Sequence, residues 1–254
     1  PVRHELGRRI REVFTADNPG DLLLAADYNQ IELRILAHVS GDGKLIQAYL
    51  NGEDIHTRTA AEVLGVDPAE ITPLQRRQAK AVNFGIVYGI SDYGLSRDLG
   101  ISRAEAEEYI RLYFSRYPQV EEYQRRTVAE ARQKGYVETL CGRRRYLPDL
   151  NNRNFNLRSF AERMAINAPI QGSAADIIKL AMIAVSREIK SRGLATRMLL
   201  QVHDELIFNL PASELATAAE VVKNCMQGAA ELVVPLIVEV KQGPDWYHMQ
   251  KLGN

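Results

Sequence analysis

The chain has 254 residues, 46% of them apolar, enough to bury a sizeable core and to form one or two domains. Its 32 basic residues equal its 32 acidic ones, a neutral total that by itself argues weakly against nucleic acid. Cys141 and Cys225 are the only cysteines, far apart and without paired spacing, so neither a zinc motif nor a disulfide framework is indicated and a reducing cytoplasm fits.

In chain order, Arg8, Arg9 and Arg11 form a first basic cluster. The apolar run at 22–26, LLLAA, then reads as an inner strand that delivers Asp27 at its mouth. Residues 51–159 read as mostly helical. Thr72 and Gln75 make a capping box with Pro73 at the first helical position, which predicts a helix start there. Ser102 with Glu105 is a second box, and 104–114 and 120–134 carry helical patterning. Arg125 and Arg126 sit among Glu121, Glu122 and Glu130 and suit a solvated charged face. Residues 142–150, with Arg143, Arg144 and Arg145, suit a basic loop, facing either phosphate or solvent. Pro169 should kink or restart a helix, and a long helix is expected over about 174–192. Residues 198–202 and 206–210 read as strands of a hairpin with His203, Asp204 and Glu205 at its tip. A helix at about 213–232 and a last strand at 236–241 complete an α+β fold whose sheet is largely antiparallel and covered by helices.

Two of these elements end on a carboxylate after an apolar strand, and such an acid is costly unless water, a partner or a cation meets it. Two acids of this kind invite shared divalent metal: a pair of Mg²⁺ ions about 3.5 to 4 Å apart can activate a hydroxyl and neutralise a leaving pyrophosphate. Between them in sequence, Arg76, Lys80, Phe84 and Tyr88 recur every four residues. At about 100° per residue each step drifts only about 40°, so they form one slowly winding stripe, cations first and rings last. A nucleoside triphosphate presents charge and flat apolar surface in that same order. Alone, each acid would suit a turn or cap and the stripe a solvated basic face; it is their co-occurrence that points to nucleotidyl transfer.

These segments carry a resemblance. DYNQIELR from Asp27, RRQAKAVNFGIVYG from Arg76 and QVHDE from Gln201 resemble motifs A, B and C of family A DNA polymerases, those of bacterial DNA polymerase I type. The likeness runs from Pro1 to about Trp246 and includes GEDIHT, GYVETLCGRRRYLPDL and NAPIQGSAADIIKLAM. It implies a palm formed by 1–50 and 160–254 and a helical fingers subdomain at 51–159, with thumb and exonuclease domains absent from these residues. It implies template-directed DNA synthesis, in replication or repair, from a dNTP onto a primer-template.

By the same carry-over, Asp27 and Asp204 hold two Mg²⁺ ions with the Tyr28 carbonyl as a further ligand, and Glu205 and Lys80 join them as catalytic residues. Arg76, Lys80 and His56 bind the triphosphate, Phe84 lies near sugar and base, Tyr88 guards the template side, and Glu32 excludes ribonucleotides by crowding the 2′ position. Gln30 joins this substrate set. Arg163, Asn167 and Gln171, spaced by four, would test base-pair shape through minor-groove acceptors that all four pairs share, with Gln201 and His203 near the primer end.

A two-metal nuclease would use similar acids without needing the stripe or Glu32, and a non-catalytic nucleic-acid-binding module would keep the acids without activity. The chain starts with Pro1 rather than Met and reads as an excised piece, expected to act as a monomer and, without a thumb, to bind primer-template poorly and extend it slowly. No secretory leader is expected ahead of the globular pattern. No apolar run approaches the roughly 18 residues needed to span a bilayer, and no membrane partner is expected.

Overall fold

The computed structural model describes residues 5–253. In chain order its helices and strands begin with α1 (Glu5–Arg9), β1 (Asp21–Tyr28), α2 (Ile31–Ser40), α3 (Gly43–Leu50), α4 (Ile55–Leu64), α5 (Pro73–Val87), α6 (Asp92–Leu99), α7 (Arg103–Arg116) and α8 (Pro118–Lys134). They continue with β2 (Tyr136–Glu138), β3 (Arg144–Tyr146), α9 (Phe155–Ser191), β4 (Arg197–Val202), β5 (Glu205–Pro211), α10 (Leu215–Gln227), β6 (Val238–Gly243) and β7 (Gln250–Lys251). Packing divides them into two compact units. One holds the described residues up to 31, 175–231 and those from 236 on; the other holds 32–174 with 232–235.

The first unit is built on a five-stranded sheet of order β4-β5-β1-β6-β7, antiparallel at every pairing. β1 is the central strand, which is why LLLAA is apolar without alternation: Leu23, Leu24, Ala25 and Ala26 are all buried. α10 packs on this sheet through Ala218, Val221, Val222 and Met226, a helical stripe that is entirely buried. A buried hydrogen bond of 2.6 Å from the Tyr28 hydroxyl to the Met226 carbonyl fastens the end of β1 to that helix. The expected α+β class with a mainly antiparallel sheet is therefore observed. α10 is shorter than the expected 213–232, because 212–214 form a 3-10 turn and the helix stops at Gly228. β6 begins two residues later than expected, and the short β7 on its outer edge had no sequence signal.

The second unit is mostly helical. Both capping boxes form: Thr72 Oγ1 accepts from Gln75 N and Ser102 Oγ from Glu105 N, with the reciprocal bonds also made. α7 and α8 meet over Tyr113, Tyr117 and Val120, each at most 1% exposed. Asp42 caps α3 through Lys44 N and Leu45 N and also accepts from Gln119 N at 3.3 Å, which ties the start of α3 to α8. The compact units divide near 31 and 174, whereas the expected subdomains divide near 50 and 159.

Two local expectations are corrected. α9 is one continuous helix from Phe155 to Ser191 that passes through Pro169, so no new helix starts there; proline removes a single ladder donor, and the Ser173 hydroxyl donates to the Pro169 carbonyl at 2.5 Å. Residues 142–150 are not simply a loop: β3 pairs with β2, and a 3-10 turn, Pro148–Asn151, follows. α9 is also long and apolar enough on average to meet the criterion for crossing a membrane, and 44% of its most apolar 18-residue stretch is buried inside the protein. Scattered polar residues break every uninterrupted run but do not lower the average enough, and core helices pass the same test.

Tyr28→Phe removes the bond that ties the central strand to α10 and is expected to lower stability by about 1 kcal/mol, read as a reduced urea midpoint with an unchanged denaturant slope.

Candidate active site

The acids converge within the first unit because of strand register. Asp27 lies directly opposite Glu205 on β5 and opposite Glu239 on β6, so three carboxylates share one row across three strands and project from one face. The β4–β5 hairpin closes on the two-residue turn His203–Asp204, and Tyr28 N–H donates to the Asp204 carbonyl at 3.2 Å. Glu205 thus belongs to a strand and only Asp204 of the two acids to the tip. The turn needs a left-handed residue, which His203 supplies at φ 56°; Gln30, just past β1, is the other non-glycine residue with positive φ among those described, at 55°. Both strained positions flank the acids.

Electrostatics make this row uncomfortable in the absence of cations. Burial above all, with the charges of Asp204, Glu205 and Glu239 adding to it and Lys241 opposing, raises the Asp27 pKa from 3.8 to about 6. Burial also pushes Asp204 and Glu205 up. Asp27 Oδ1 is buried and has no hydrogen-bond partner among the described residues. Lys241 and Lys251 both pair with Glu239; Lys241 also opposes the shift of Asp27, and Arg11, Trp246 and Lys241 that of Glu205, yet burial outweighs them at both acids. Among the described residues no group of three or more His, Cys, Asp or Glu side chains forms a ready-made metal cage. Few carboxylates with an orphaned oxygen fit Mg²⁺, which keeps waters and substrate oxygens in its shell.

In the second unit, Arg76, Lys80 and Phe84 lie along α5 and Tyr88 caps it. The Lys80 ammonium is 6.0 Å from the Phe84 ring centre, and Phe84 is 5.9 Å from the His56 ring. Arg76 grips Asp54 with two nitrogens, one of them 3.2 Å from Oδ1. Burial alone would raise Asp54, but hydrogen bonds from Arg76 and Thr57 and the guanidinium charge bring it down to about 2. His56 is buried, and that burial, with Arg76 and Lys80 nearby and Asp54 opposing, lowers its pKa to about 4, so it is neutral at neutral pH. Asn83 Nδ2 lies 3.1 Å from His56 Nδ1, and Thr59 donates to Asn83 Oδ1 at 3.1 Å. This chain makes Nδ1 the acceptor and assigns the ring hydrogen to Nε2. Tyr88 donates to Glu32 Oε2 at 2.8 Å, joining two residues the sequence assigned to separate roles.

Arg163, Asn167 and Gln171 follow one another along α9. Arg163 donates to Ser159 at 3.0 Å, Asn167 Oδ1 is buried without a partner among the described residues, and Gln171 is exposed. Gln201 donates to the His203 carbonyl at 3.0 Å. The arginine run has partners of its own: Arg143 bonds the Gly172 carbonyl, Arg144 bonds Glu138 and lies over Tyr136, and Arg145 reaches Met164 Sδ. Arg125 pairs with Glu122, as a charged face would.

Several neighbours escaped the sequence reading. Asp54 gave only an N-cap signal, and Asn83 and Thr59, which orient His56, gave none. Glu239 and Lys241 enter the acid row only through register.

The family profile described as DNA polymerase family A matches residues 1–248. DNA polymerase I of Caldicellulosiruptor bescii is 57% identical over 247 residues, 97% of this chain and 29% of that protein. The Geobacillus stearothermophilus DNA polymerase I is 55% identical, over 97% of this chain and 28% of its own length. A solved structure, the POL domain of Pol1 from M. smegmatis in complex with DNA primer-template and dNTP, superposes with TM-score 0.94 at 48% identity, over 98% of this chain and 44% of that one. The chain therefore spans less than a third of the length of these curated relatives.

The raised Asp27 pKa fixes a sign. Folded, the carboxyl keeps its proton to about pH 6; unfolded, only to about 3.8. Its contribution to stability therefore falls as pH rises between those values and is level above them. In metal-free buffer, Asp27→Asn is expected to melt higher than the parent at neutral pH and to lose this pH dependence, while millimolar Mg²⁺ raises the melting temperature of the parent but not of Asp27→Asn, as scanning calorimetry would read.

Proposed function

This chain belongs to DNA polymerase family A, and on that premise we propose that it catalyses template-directed DNA synthesis. The primer 3′-oxygen attacks the α-phosphorus of a dNTP, a new P–O bond forms, the bond to pyrophosphate breaks, and the hydroxyl proton leaves to solvent. The observation that carries this reading is the acid row, with Asp27 Oδ1 buried and unpartnered beside Asp204 and Glu205.

Asp27 and Asp204, with the Tyr28 carbonyl, are the residues that would hold two Mg²⁺ ions. When bound, such ions lower the pKa of the attacking hydroxyl and offset charge on the leaving group. Glu205 supports the primer end from the next strand. Arg76 and Lys80 bind the triphosphate, and Arg76 exchanges its Asp54 partner for phosphate. His56 is neutral and carries its hydrogen on Nε2, so it donates to a phosphate oxygen without adding charge. Lys80 also acts in catalysis, its ammonium stabilising the leaving pyrophosphate. Phe84 packs on the sugar and base. Tyr88 and Glu32, hydrogen-bonded to each other, act as one gate on template position and the 2′ side of the sugar, with Gln30 contributing backbone shape beside it. Arg163, Asn167, Gln171, Gln201 and His203 contact the primer-template.

In this reading 1–50 and 160–254 serve as palm and 51–159 as fingers. The partners are primer-template DNA and a dNTP, and the working form is a cytoplasmic monomer with no membrane role.

Primer extension with Mg²⁺ and four dNTPs tests this, in the chain itself and in a version extended to its relatives' full length. Extension by the longer version is expected to fall at least about 10²-fold in Asp27→Ala and in Asp204→Ala, and Lys80→Ala to raise the dNTP KM and lower kcat. Undiminished extension by Asp27→Ala would reject the assignment.

A further inference from the structure

Within the second unit, the β2–β3 hairpin presses its tip against α9 at Gly172 and Ser173, the two residues that follow Gln171. Leu140 N–H donates to Ser173 Oγ at 2.8 Å, and that hydroxyl donates to the Pro169 carbonyl. Arg143 Nη2 donates to the Gly172 carbonyl at 3.1 Å. The tip is itself braced, with Thr139 N–H bonding Arg143 O at 3.0 Å and Arg143 N–H bonding Thr139 Oγ1 at 3.2 Å. Gly172 is what lets the hairpin come this close: a Cβ there would lie 2.5 Å from Thr139 Cγ2 and 3.3 Å from Arg143 Nη2. Gln171 lines the resulting recess of about 70 Å³ together with Thr139, Arg143, Ala168 and Gly172.

The place matters because Pro169 has no N–H, so the ladder of α9 lacks its bond to the Ala165 carbonyl in the turn just before Gln171. The hairpin's bonds to Ser173 Oγ and the Gly172 carbonyl, with the Ser173 bond to the Pro169 carbonyl inside the helix, restrain the turn that carries Gln171. A long, exposed glutamine on a loosened turn would otherwise lose orientation on binding.

We infer that the hairpin tip is a positioning element for Gln171, with Gly172, Ser173 and Arg143 fixing the turn from which its amide meets the DNA. This rests on the reading of Gln171 as a DNA contact. The hairpin residues touch no substrate in this scheme; they act through Gln171.

A double-mutant cycle separates the two ideas. In the version extended to its relatives' full length, single-nucleotide extension is measured from matched and mismatched primer ends for Gln171→Ala, Gly172→Ala, the pair, and Thr139→Ser/Gly172→Ala, each checked for folding by its melting curve. Gly172→Ala is expected to raise the primer-template KM and shrink the matched-to-mismatched ratio by about fivefold, the size of one well-made hydrogen bond. It should add nothing on top of Gln171→Ala, and Thr139→Ser, which removes only the methyl in the way, should restore the ratio. Additive losses, or an unchanged ratio in Gly172→Ala, overturn the inference while leaving Gln171 as a contact. A neutral Gln171→Ala rejects that contact and the inference with it. If Gly172→Ala does not fold, Ser173→Ala enters the same cycle with the same expected non-additivity.

Discussion

The site depends on one constraint: an acid held on the central strand of an antiparallel sheet, with an acid beside it on each neighbouring strand. Asp27 cannot move away from Glu205 or Glu239 without breaking the β1 ladders, and the Tyr28 bonds to Asp204 and Met226 lock the end of the strand in depth and in turn. Charge repulsion that a flexible loop would relax is here retained by register. The free energy available from a cation at this place is the counterpart of that retained repulsion.

The helical unit solves a different problem, that of presenting positive charge and neutral donors without desolvating them at random. Arg76 stays exposed and is parked on Asp54, whose carboxylate also caps α4. His56 is buried, kept neutral and oriented through Asn83 and Thr59. Lys80 leans over Phe84 rather than into a carboxylate. Anions can displace the first arrangement, accept from the second and attract the third, which suits a polyphosphate better than a single phosphate.

Much of this was legible in sequence because it rests on local rules. Thr72 with Gln75 and Ser102 with Glu105 are complete capping boxes, LLLAA reads as an inner strand, and the polar HDE between two apolar runs marks a hairpin, although only His203 and Asp204 form its tip and Glu205 opens β5. What escaped is tertiary. Pro169 looked like a break because the loss of its donor is visible in sequence, while the stabilising contacts from Ser173, Leu140 and Arg143 are not. Arg143 to Arg145 read equally well as phosphate ligands, since nothing local predicts that each finds a partner on its own chain. Glu239 joined the acid row through pairing with a strand more than 200 positions away in sequence, a distance over which spacing carries no information.

The most direct test of the central claim is anomalous diffraction from crystals of the chain grown with Mn²⁺ and a dNTP. The account predicts manganese density within about 2.1 to 2.2 Å of carboxylate oxygens of both Asp27 and Asp204. Manganese bound elsewhere, with these two side chains turned to water or to lysine, would contradict it.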